Sequence, residues 1–276
     1  MEIITYETDH RIYKESLLKY TCSEFDVKLT VLGLGEDFVG VYQKILAFSE
    51  YVKSLDDDTL VMCCDSRDVF VWADSQSISE KYESMTDLVL FGDDPLCFPM
   101  LPLYKYYPKD TYLCSGVYIG RAGKLKEMFK YAIYCHDNLS DVMMEKFSIT
   151  DDEIDAEEYV YEERLGPSIR QCDQFMCSLV YLTTDYAELD YGSELIQTFY
   201  QCPDGLAQYK RIAKVNNNVR SGRDFDLVFD RETKRIYNEH MDTYPLVFHA
   251  AGPPHSISML NKYIKDDYGT IARLFS

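Results

Sequence analysis

The segment that most constrains the fold is an apolar run, Leu60–Cys64, which an acidic cluster follows directly. A run without polar alternation has no face to offer to water, so both of its faces must be buried, as in a parallel strand covered by helices. Asp87–Phe91 and Leu246–His249 have the same character. The sequence therefore predicts a sheet whose inner strands are covered on both sides.

The rest of the chain alternates between strand and helix patterns. Short strand-like segments lie at 1–5 and 27–31, and helical spacing of apolar side chains occurs at 12–20, 41–55 and 174–182. Strands separated by helices indicate a mainly parallel sheet with helices on both faces. We expect one α/β domain over residues 1–276, because a single core can accommodate this length.

The charge of the chain excludes two classes of partner. The formal net charge is −19 at pH 7. Such a surface repels the phosphates of nucleic acids and anionic membranes, so neither is expected as a partner. It would also repel a nucleoside diphosphate unless a bound cation reversed the local field, which is a first indication that a metal is used.

Cysteine usage and the N-terminal residues bear on the compartment. There are nine cysteines, an odd number, with no CxxC pair and no Cys/His spacing typical of zinc sites. Residues 1–6 lack the charged and then apolar regions of a signal peptide, and no apolar stretch approaches 18 residues. We therefore expect a reducing, cytoplasmic environment.

An acidic stretch interrupts the pattern at about 137–170. Its densest part, Asp151–Glu158, contains mostly aspartate and glutamate. A run of like charge is typical of a solvated loop or a flexible segment, so we expect an insertion within the domain here. Residues 203–223 are a second candidate for a mobile segment.

Three polar clusters follow the apolar runs. They are Asp65–Asp68, Gly92–Pro95 and the segment that begins at His249. Ligands of open α/β sheets bind beyond the carboxyl ends of the strands, so we expect these clusters to converge on one site.

The first and third clusters contain candidate metal ligands. The carboxylates of Asp65 and Asp68 suit Mn²⁺ or Mg²⁺, and an imidazole from His249 would favour Mn²⁺. Alternatives remain from spacing alone, because Asp-x-x-Asp after a strand is commonly a helix cap or turn. A single histidine at a strand end is usually a hydrogen-bonded structural residue.

An ordered series of short motifs is more specific than any one of them. The matching segments are Val31–Glu36, Gln43-Lys44, Cys64–Val69, Cys97–Pro99, Tyr112–Gly116, Ile119-Gly120, Asp173-Gln174, Leu189-Asp190, Phe229–Arg231 and His249–Pro253. This series resembles the glycosyltransferase domain of multifunctional procollagen lysyl hydroxylases and their stand-alone viral relatives. The resemblance extends through nearly the whole chain.

The resemblance implies a fold and an activity. The fold would be a Rossmann-like glycosyltransferase domain of the GT-A type. The activity would be transfer of glucose from UDP-glucose to galactosyl-hydroxylysine of collagen with Mn²⁺, by a homodimer that, for a viral protein, works in the host-cell cytoplasm. Three alternatives stay open: another donor or acceptor such as UDP-galactose or a simple sugar, a non-catalytic nucleotide-sugar binder, and a partner-binding scaffold.

The resemblance also assigns roles on the donor side. Asp65, Asp68 and His249 would hold the metal. The residues assigned to UDP are Thr5 at the uridine, Lys44 at the ribose or diphosphate, Arg67 at the uracil, and Asp65, Gly252 and His255 near the diphosphate. Lys44 has an alternative role as a solvated residue in the first turn of a helix.

Two acids are assigned to the sugar side, Asp94 and Asp173. If the product is α-linked, the configuration of the sugar is retained, either through a carboxylate nucleophile and a covalent intermediate or by same-face attack. These two acids are the candidate nucleophiles, and we favour same-face attack in which they position hydroxyl groups. As structural alternatives, Asp173 could cap a helix and Asp94 could be a turn residue.

Several positions depart from the family pattern. Arg67 replaces an aromatic residue expected to stack on uracil, although a planar guanidinium can also stack. The other departures are Phe98 for tryptophan, Cys114 and Ala251 for asparagines, Cys172 for an acid and His255 for lysine. The acceptor side is therefore the less well matched part of the site.

Overall fold

The computed structural model describes residues 1–94 except 15, and then 97, 99–109, 111–165, 168–200, 227–251 and 264–265. The strands are β1 (Glu2–Tyr6), β2 (Leu29–Leu32), β3 (Leu60–Asp65), β4 (Val69–Val71), β5 (Val89–Asp94), β6 (Tyr112–Arg121), β7 (Ala187–Leu189), β8 (Ile196–Tyr200), β9 (Leu227–Asp230), β10 (Arg235–Asn238), β11 (Val247–Ala251) and β12 (Ile264–Lys265). The α-helices are α1 (His10–Lys14), α2 (Leu17–Glu24), α3 (Tyr42–Lys53), α4 (Ser75–Met85), α5 (Ala122–Asp137), α6 (Leu139–Phe147), α7 (Asp151–Leu165) and α8 (Asp173–Thr183). Two short 3₁₀ helices lie at Leu101–Tyr106 and Ile169–Gln171.

The central sheet has six strands in the order β2-β1-β3-β6-β5-β7. Strand β6 is antiparallel to both of its neighbours, β3 and β5, while the remaining pairs are parallel. Five strands therefore run in one direction, and their carboxyl ends lie at one edge. This arrangement confirms the predicted α/β fold with a mainly parallel sheet.

Helices cover both faces of this sheet, as the apolar run in β3 predicted. Val61 and Cys63 belong to the core cluster that includes α3, α5 and α8, whereas Met62 and Cys64 belong to the cluster that includes α2 and α4. Successive side chains of a strand point to opposite faces, so burial of all four residues requires two covering layers. Full burial of a valine or methionine side chain contributes about 1.5–3 kcal/mol.

The apolar run near the C-terminus is a strand, as predicted, but it does not belong to the central sheet. It forms β11 of a separate sheet with the order β4-β11-β8. Strand β11 is antiparallel to β4, with His249 opposite Val69, and the backbone N–H of Ala250 donates to the carbonyl of Asp68 at 2.7 Å. An apolar run specifies burial on both faces but not its neighbours, which explains the difference from the prediction.

Two glycines allow this small sheet to approach the central sheet closely. A Cβ atom on Gly92 of β5 would lie 2.8 Å from Oγ1 of Thr198 in β8. A Cβ atom on Gly116 of β6 would lie 2.1 Å from Cε1 of His249 in β11. Carbon atoms in contact are normally about 3.5–4.0 Å apart, so side chains at these positions would separate the sheets.

The expectation of a solvated loop in the acidic stretch is wrong, because residues 151–165 form helix α7. Thr150 and Glu153 form a reciprocal capping box: Glu153 Oε2 accepts from the Thr150 N–H at 2.9 Å, and Thr150 Oγ1 accepts from the Glu153 N–H at 3.3 Å. Acidic residues are also favourable in a first helical turn. Arg170 offsets part of the charge through contacts of 3.0 Å with Asp155 and 3.3 Å with Glu158.

The predicted helix over 12–20 is divided into α1 and α2. Ser16 begins the second helix by accepting a hydrogen bond from the Lys19 N–H at 3.4 Å. Within the described residues, no helix is both long and apolar enough to cross a membrane.

Candidate functional site

Three candidate metal ligands meet at the edge of the central sheet. Asp65 ends β3, Asp68 precedes β4, and His249 lies in β11 next to β4. One ligand atom from each of the three lies within 4.8 Å of the others. His249 Nε2 is 3.4 Å from Asp68 Oδ2 and 3.7 Å from Asp65 Oδ2. The structure thus brings together the residues that the sequence suggested as a metal triad.

The chemistry and spacing of this cluster fit a divalent cation. Carboxylate oxygens and an imidazole nitrogen suit Mn²⁺ among other ions. Adjacent ligands of an octahedral ion with bonds near 2.1 Å are about 3 Å apart. The two distances from His249 Nε2 to the carboxylates are slightly longer, so small side-chain rotations would bring the ligand atoms to this spacing. His249 Nε2 is buried and makes no well-formed hydrogen bond among the described residues. A cation would satisfy this nitrogen.

The electrostatics of the cluster also favour a cation. Burial raises the pKa of Asp65, an effect that the Lys44 ammonium partly opposes. Burial lowers the pKa of His249, but the Cys114 sulfur and the Asp68 carboxylate outweigh burial, so this pKa lies well above its usual value. Buried negative charge at this position therefore requires a compensating proton or cation.

Lys44 joins the cluster to a second carboxylate. Its ammonium forms ion pairs with Asp65 Oδ1 and, at 2.7 Å, with Asp173 Oδ2. The residue is only 6% exposed, so the alternative of a solvated lysine is wrong. Burial alone lowers the pKa of Lys44, but Asp173 and Asp65 raise it well above its usual value. Lys44 is therefore a charged link between the triad and Asp173.

The carboxylate of Asp173 does not cap the helix that it begins. The N-cap residue of α8 is Cys172, and no side chain supplies the capping hydrogen bond. The Asp173 side chain is buried and faces Lys44 instead. The next residue, Gln174, accepts from the backbone N–H of Ser115 at 3.4 Å, which ties this turn of α8 to β6.

Arg67 is held by a buried acid that the sequence analysis missed. Glu7 follows β1, is 3% exposed, and binds Arg67 through Nε at 2.8 Å and Nη2 at 2.9 Å. Ser66 also donates to Glu7 at 2.7 Å. The Arg67 side chain is still 47% exposed, so one carboxylate fixes a planar cation beside the metal triad. Nothing in the local pattern of the first strand distinguishes Glu7 from a solvated acid.

The exchange Glu7→Gln tests this clamp. Fixing a flexible side chain before binding saves about 0.5–1.5 kcal/mol, which corresponds to roughly a 2–12-fold change in affinity. If Arg67 contacts the donor, we expect the KM for the nucleotide sugar to rise by that factor while kcat changes less. Asp9→Asn, which alters a partly exposed neighbouring acid, is the control. An unchanged KM would show that the clamp does not serve donor binding.

His249 packs directly on the backbone of β6 at Gly116. Because a Cβ there would overlap the imidazole, Gly116→Ala is expected to displace the ring and to weaken Mn²⁺ binding at least about 10-fold. Overpacking should also lower the free energy of unfolding by about 1–3 kcal/mol. Calorimetric titration with Mn²⁺ measures the first effect, and Gly123→Ala in α5 is the control. Equal Mn²⁺ affinities in the two variants would contradict the prediction.

The other predicted site residues are placed as follows. Thr5 is buried at the end of β1, and its hydroxyl donates to the carbonyl of Cys64 at 2.8 Å. Asp94 is the last residue of β5, is 4% exposed, and lies opposite Tyr112 in β6. Gly252 and His255 lie outside the described residues, as do Phe98 and the segment 203–223.

One matching motif residue has a structural role. The carboxylate of Asp190 accepts from the backbone N–H groups of residues 194, 195 and 196 at 2.9, 2.7 and 2.8 Å. Residue 196 begins β8, so Asp190 anchors the start of that strand beside the central sheet.

A cleft of about 1100 Å³ lies apart from the triad. It is formed by α2, the start of α4 and the hairpin of β9 and β10, with Trp72 and Phe229 among its lining residues. None of the candidate metal, donor or sugar residues described above lines it.

Comparison with known sequences identifies the family. The family model of the PLOD GT domain matches residues 4–146, just over half of the chain. An uncharacterized protein of Acanthamoeba polyphaga mimivirus, R699, is 24% identical over 246 residues, which cover 84% of this chain and 42% of that protein.

Animal relatives share similar identity. A multifunctional procollagen lysine hydroxylase and glycosyltransferase of Caenorhabditis elegans is 25% identical over 281 residues, covering 95% of this chain and 32% of that protein. The human protein of this description, LH3, is 24% identical over 259 residues, covering 88% and 29%. The chain thus spans less than half the length of these curated relatives.

Two solved glycosyltransferases align with the chain at low similarity. The apo structure of the bifunctional glycosyltransferase WbbM has 11% identity and a TM-score of 0.45, covering 92% of this chain and 46% of that chain. A glycosyltransferase involved in glycosylation of the major capsid of PBCV-1 has 12% identity and a TM-score of 0.39, covering 92% and 95%. The family match, which spans half of the chain, is the basis of assignment: the chain belongs to the PLOD GT domain family and is a glycosyltransferase domain.

Proposed function

We propose that this chain is a Mn²⁺-dependent, retaining glucosyltransferase. Its donor is UDP-glucose, and its acceptor is galactosyl-hydroxylysine of collagen or a similar galactoside or glucoside. The observation that carries the proposal is the Asp65, Asp68 and His249 cluster at the sheet edge of a PLOD GT domain. The names of the animal relatives, which combine procollagen lysine hydroxylase and glycosyltransferase, support the choice of acceptor.

The residues of the site have distinct tasks in this proposal. Asp65, Asp68 and His249 would hold the ion, which supplies charge neutralisation for the departing diphosphate. Arg67, clamped by Glu7, presents the flat face of its guanidinium to the uracil. Lys44 keeps the carboxylates of Asp65 and Asp173 at a fixed separation.

The position of Asp173 favours same-face attack over a covalent intermediate. A carboxylate that is paired with a buried ammonium at 2.7 Å is a poor nucleophile, because attack would remove its charge from the Lys44 partner. In same-face attack, the C1–O bond to UDP breaks with its electron pair remaining on UDP. The acceptor oxygen forms the new bond to C1, and its proton passes to the departing phosphate oxygen. Asp173 and Asp94 then orient hydroxyl groups.

Release of UDP tests the proposed activity. UDP is measured from UDP-glucose with Mn²⁺, with and without galactosyl-hydroxylysine, for the wild type, Asp65→Ala and the surface control Asp185→Ala. We expect release that requires acceptor and Mn²⁺ and that is lost only in Asp65→Ala. Activity with UDP-galactose or another acceptor would change the assigned substrates. Binding of UDP without release for any donor and acceptor would indicate a non-catalytic nucleotide-sugar binder.

The homodimer that the family resemblance implies stays a prediction. Size-exclusion chromatography with light scattering distinguishes a dimer from the 32.2 kDa monomer.

A further inference from the structure

Cys114 contacts the ring of His249 on the side away from the two aspartates. Its Sγ lies 3.1 Å from Nδ1 of His249, while Nε2 of the same ring faces Asp65 and Asp68. Both residues are almost completely buried, at 1% and 3% exposure. Water therefore does not compete for Nδ1, and the hydrogen-bond partner of this nitrogen is the Cys114 sulfur.

The strand geometry explains how the contact forms. Cys114 and Gly116 are two residues apart in β6, and both lie against the imidazole of His249 in β11. Gly116 provides space for the flat side of the imidazole, because any Cβ there would overlap it. Cys114 then meets the edge of the ring. Together, the two residues restrain both the plane of the imidazole and its rotation.

In the neutral ring, which is the form that binds a cation, this contact has two possible directions. When Nδ1–H donates to the sulfur, the lone pair of Nε2 points toward Asp65 and Asp68 and is available to a cation. When the thiol donates to Nδ1 instead, Nε2 carries the proton and cannot bind a metal. A histidine ligand generally donates its second N–H to a neighbouring acceptor, which fixes its orientation and raises its basicity.

We propose that Cys114 is a positioning residue that holds His249 in the Nδ1–H tautomer and aims Nε2 at the cation. The proposal rests on the metal-dependent function proposed above. It gives this chain a thiol where the family pattern that it resembles has an asparagine. The sulfur does not bind the ion in this arrangement, because it lies against the opposite nitrogen of the ring.

Affinity for Mn²⁺ alone, without nucleotide, tests the role of Cys114. Free Mn²⁺ is followed by electron paramagnetic resonance with the wild type, Cys114→Val, Cys114→Ser and Cys135→Val. Valine keeps the bulk but cannot accept a hydrogen bond, whereas serine can. We expect Cys114→Val to bind about 10–100-fold more weakly, as for the loss of other outer-shell partners of metal ligands, and serine to restore most of the affinity. Cys135→Val removes a buried thiol from α5 and should bind like the wild type.

A second measurement reads the tautomer directly. The chain has five histidines, so the ring nitrogens of His249 can be assigned in ¹⁵N spectra by comparison with His249→Gln. With diamagnetic Mg²⁺, we expect the proton on Nδ1 in the wild type and a shift toward Nε2–H in Cys114→Val. A variant that loses packing but keeps the hydrogen bond would leave the proton of the His249 ring on Nδ1.

The outcomes separate this proposal from the function on which it rests. Equal Mn²⁺ affinity and an unchanged tautomer in a folded Cys114→Val would overturn the role of Cys114 and leave the metal site intact. Failure of the wild type to bind Mn²⁺ would overturn the metal-dependent function, and the role of Cys114 with it.

Discussion

Asp68→Asn is expected to weaken Mn²⁺ binding by at least about 100-fold, which is the upper end of the loss seen for outer-shell partners of metal ligands. The exchange preserves the size of the side chain while removing its negative charge. Asp68 Oδ2 lies 3.4 Å from His249 Nε2, so the exchange acts within the metal cluster. It leaves Asp65 and Asp173, the two partners of Lys44, unchanged. Transfer activity should fall with metal occupancy and recover partly at high Mn²⁺ concentration.

The measurement is a Mn²⁺ titration followed by UDP release across a range of Mn²⁺ concentrations. Asp185→Asn, at an exposed position, provides the matched control for the change in charge. We expect protein stripped with EDTA to lose activity and to regain it with Mn²⁺. A folded Asp68→Asn variant with the Mn²⁺ affinity of the wild type would exclude Asp68 as a ligand.

Lys44→Met is expected to have the largest effect on stability. It leaves the carboxylates of Asp65 and Asp173 close together without their shared cation. Removing one partner of a buried ion pair costs about 3–5 kcal/mol, and we expect the lower end of this range. The reason is that the Asp65 side chain is 33% exposed and so retains some hydration. Transfer activity should also be lost, because Asp173 is no longer held.

The control for this exchange lies in the same helix. Lys53 ends α3 and pairs with Glu50 at 2.8 Å, with both side chains mostly exposed, so Lys53→Met should cost at most about 1 kcal/mol. Chemical denaturation of both variants gives the two free energies of unfolding. Mn²⁺ should stabilise Lys44→Met more than the wild type, because the ion would replace part of the missing positive charge. Equal stability of the two variants would show that Lys44 is not required to balance the buried carboxylates.

Local sequence patterns predicted several elements of the fold correctly. Apolar runs and helical spacing act over a few residues, so β3, β11, α3 and α8 could be recognised within narrow limits. The clearest error is α7, where a run of acids was interpreted as a loop. The Thr150-x-x-Glu153 capping box was a local signal that predicts the start of this helix.

The sequence by itself determined the class of fold, the acidic cluster after β3 and, through the ordered motifs, the family to which the chain belongs. Only the tertiary structure decided which groups share the site. His249 is in a second sheet, Lys44 is buried between two acids, Glu7 holds Arg67, and Cys114 meets a ring that is 135 residues away in the chain. The spacing of apolar residues predicts whether a segment is buried, because it reflects the side chains of that segment alone. It does not predict which distant strands pair. That pairing creates the ion pairs and ring contacts of the site.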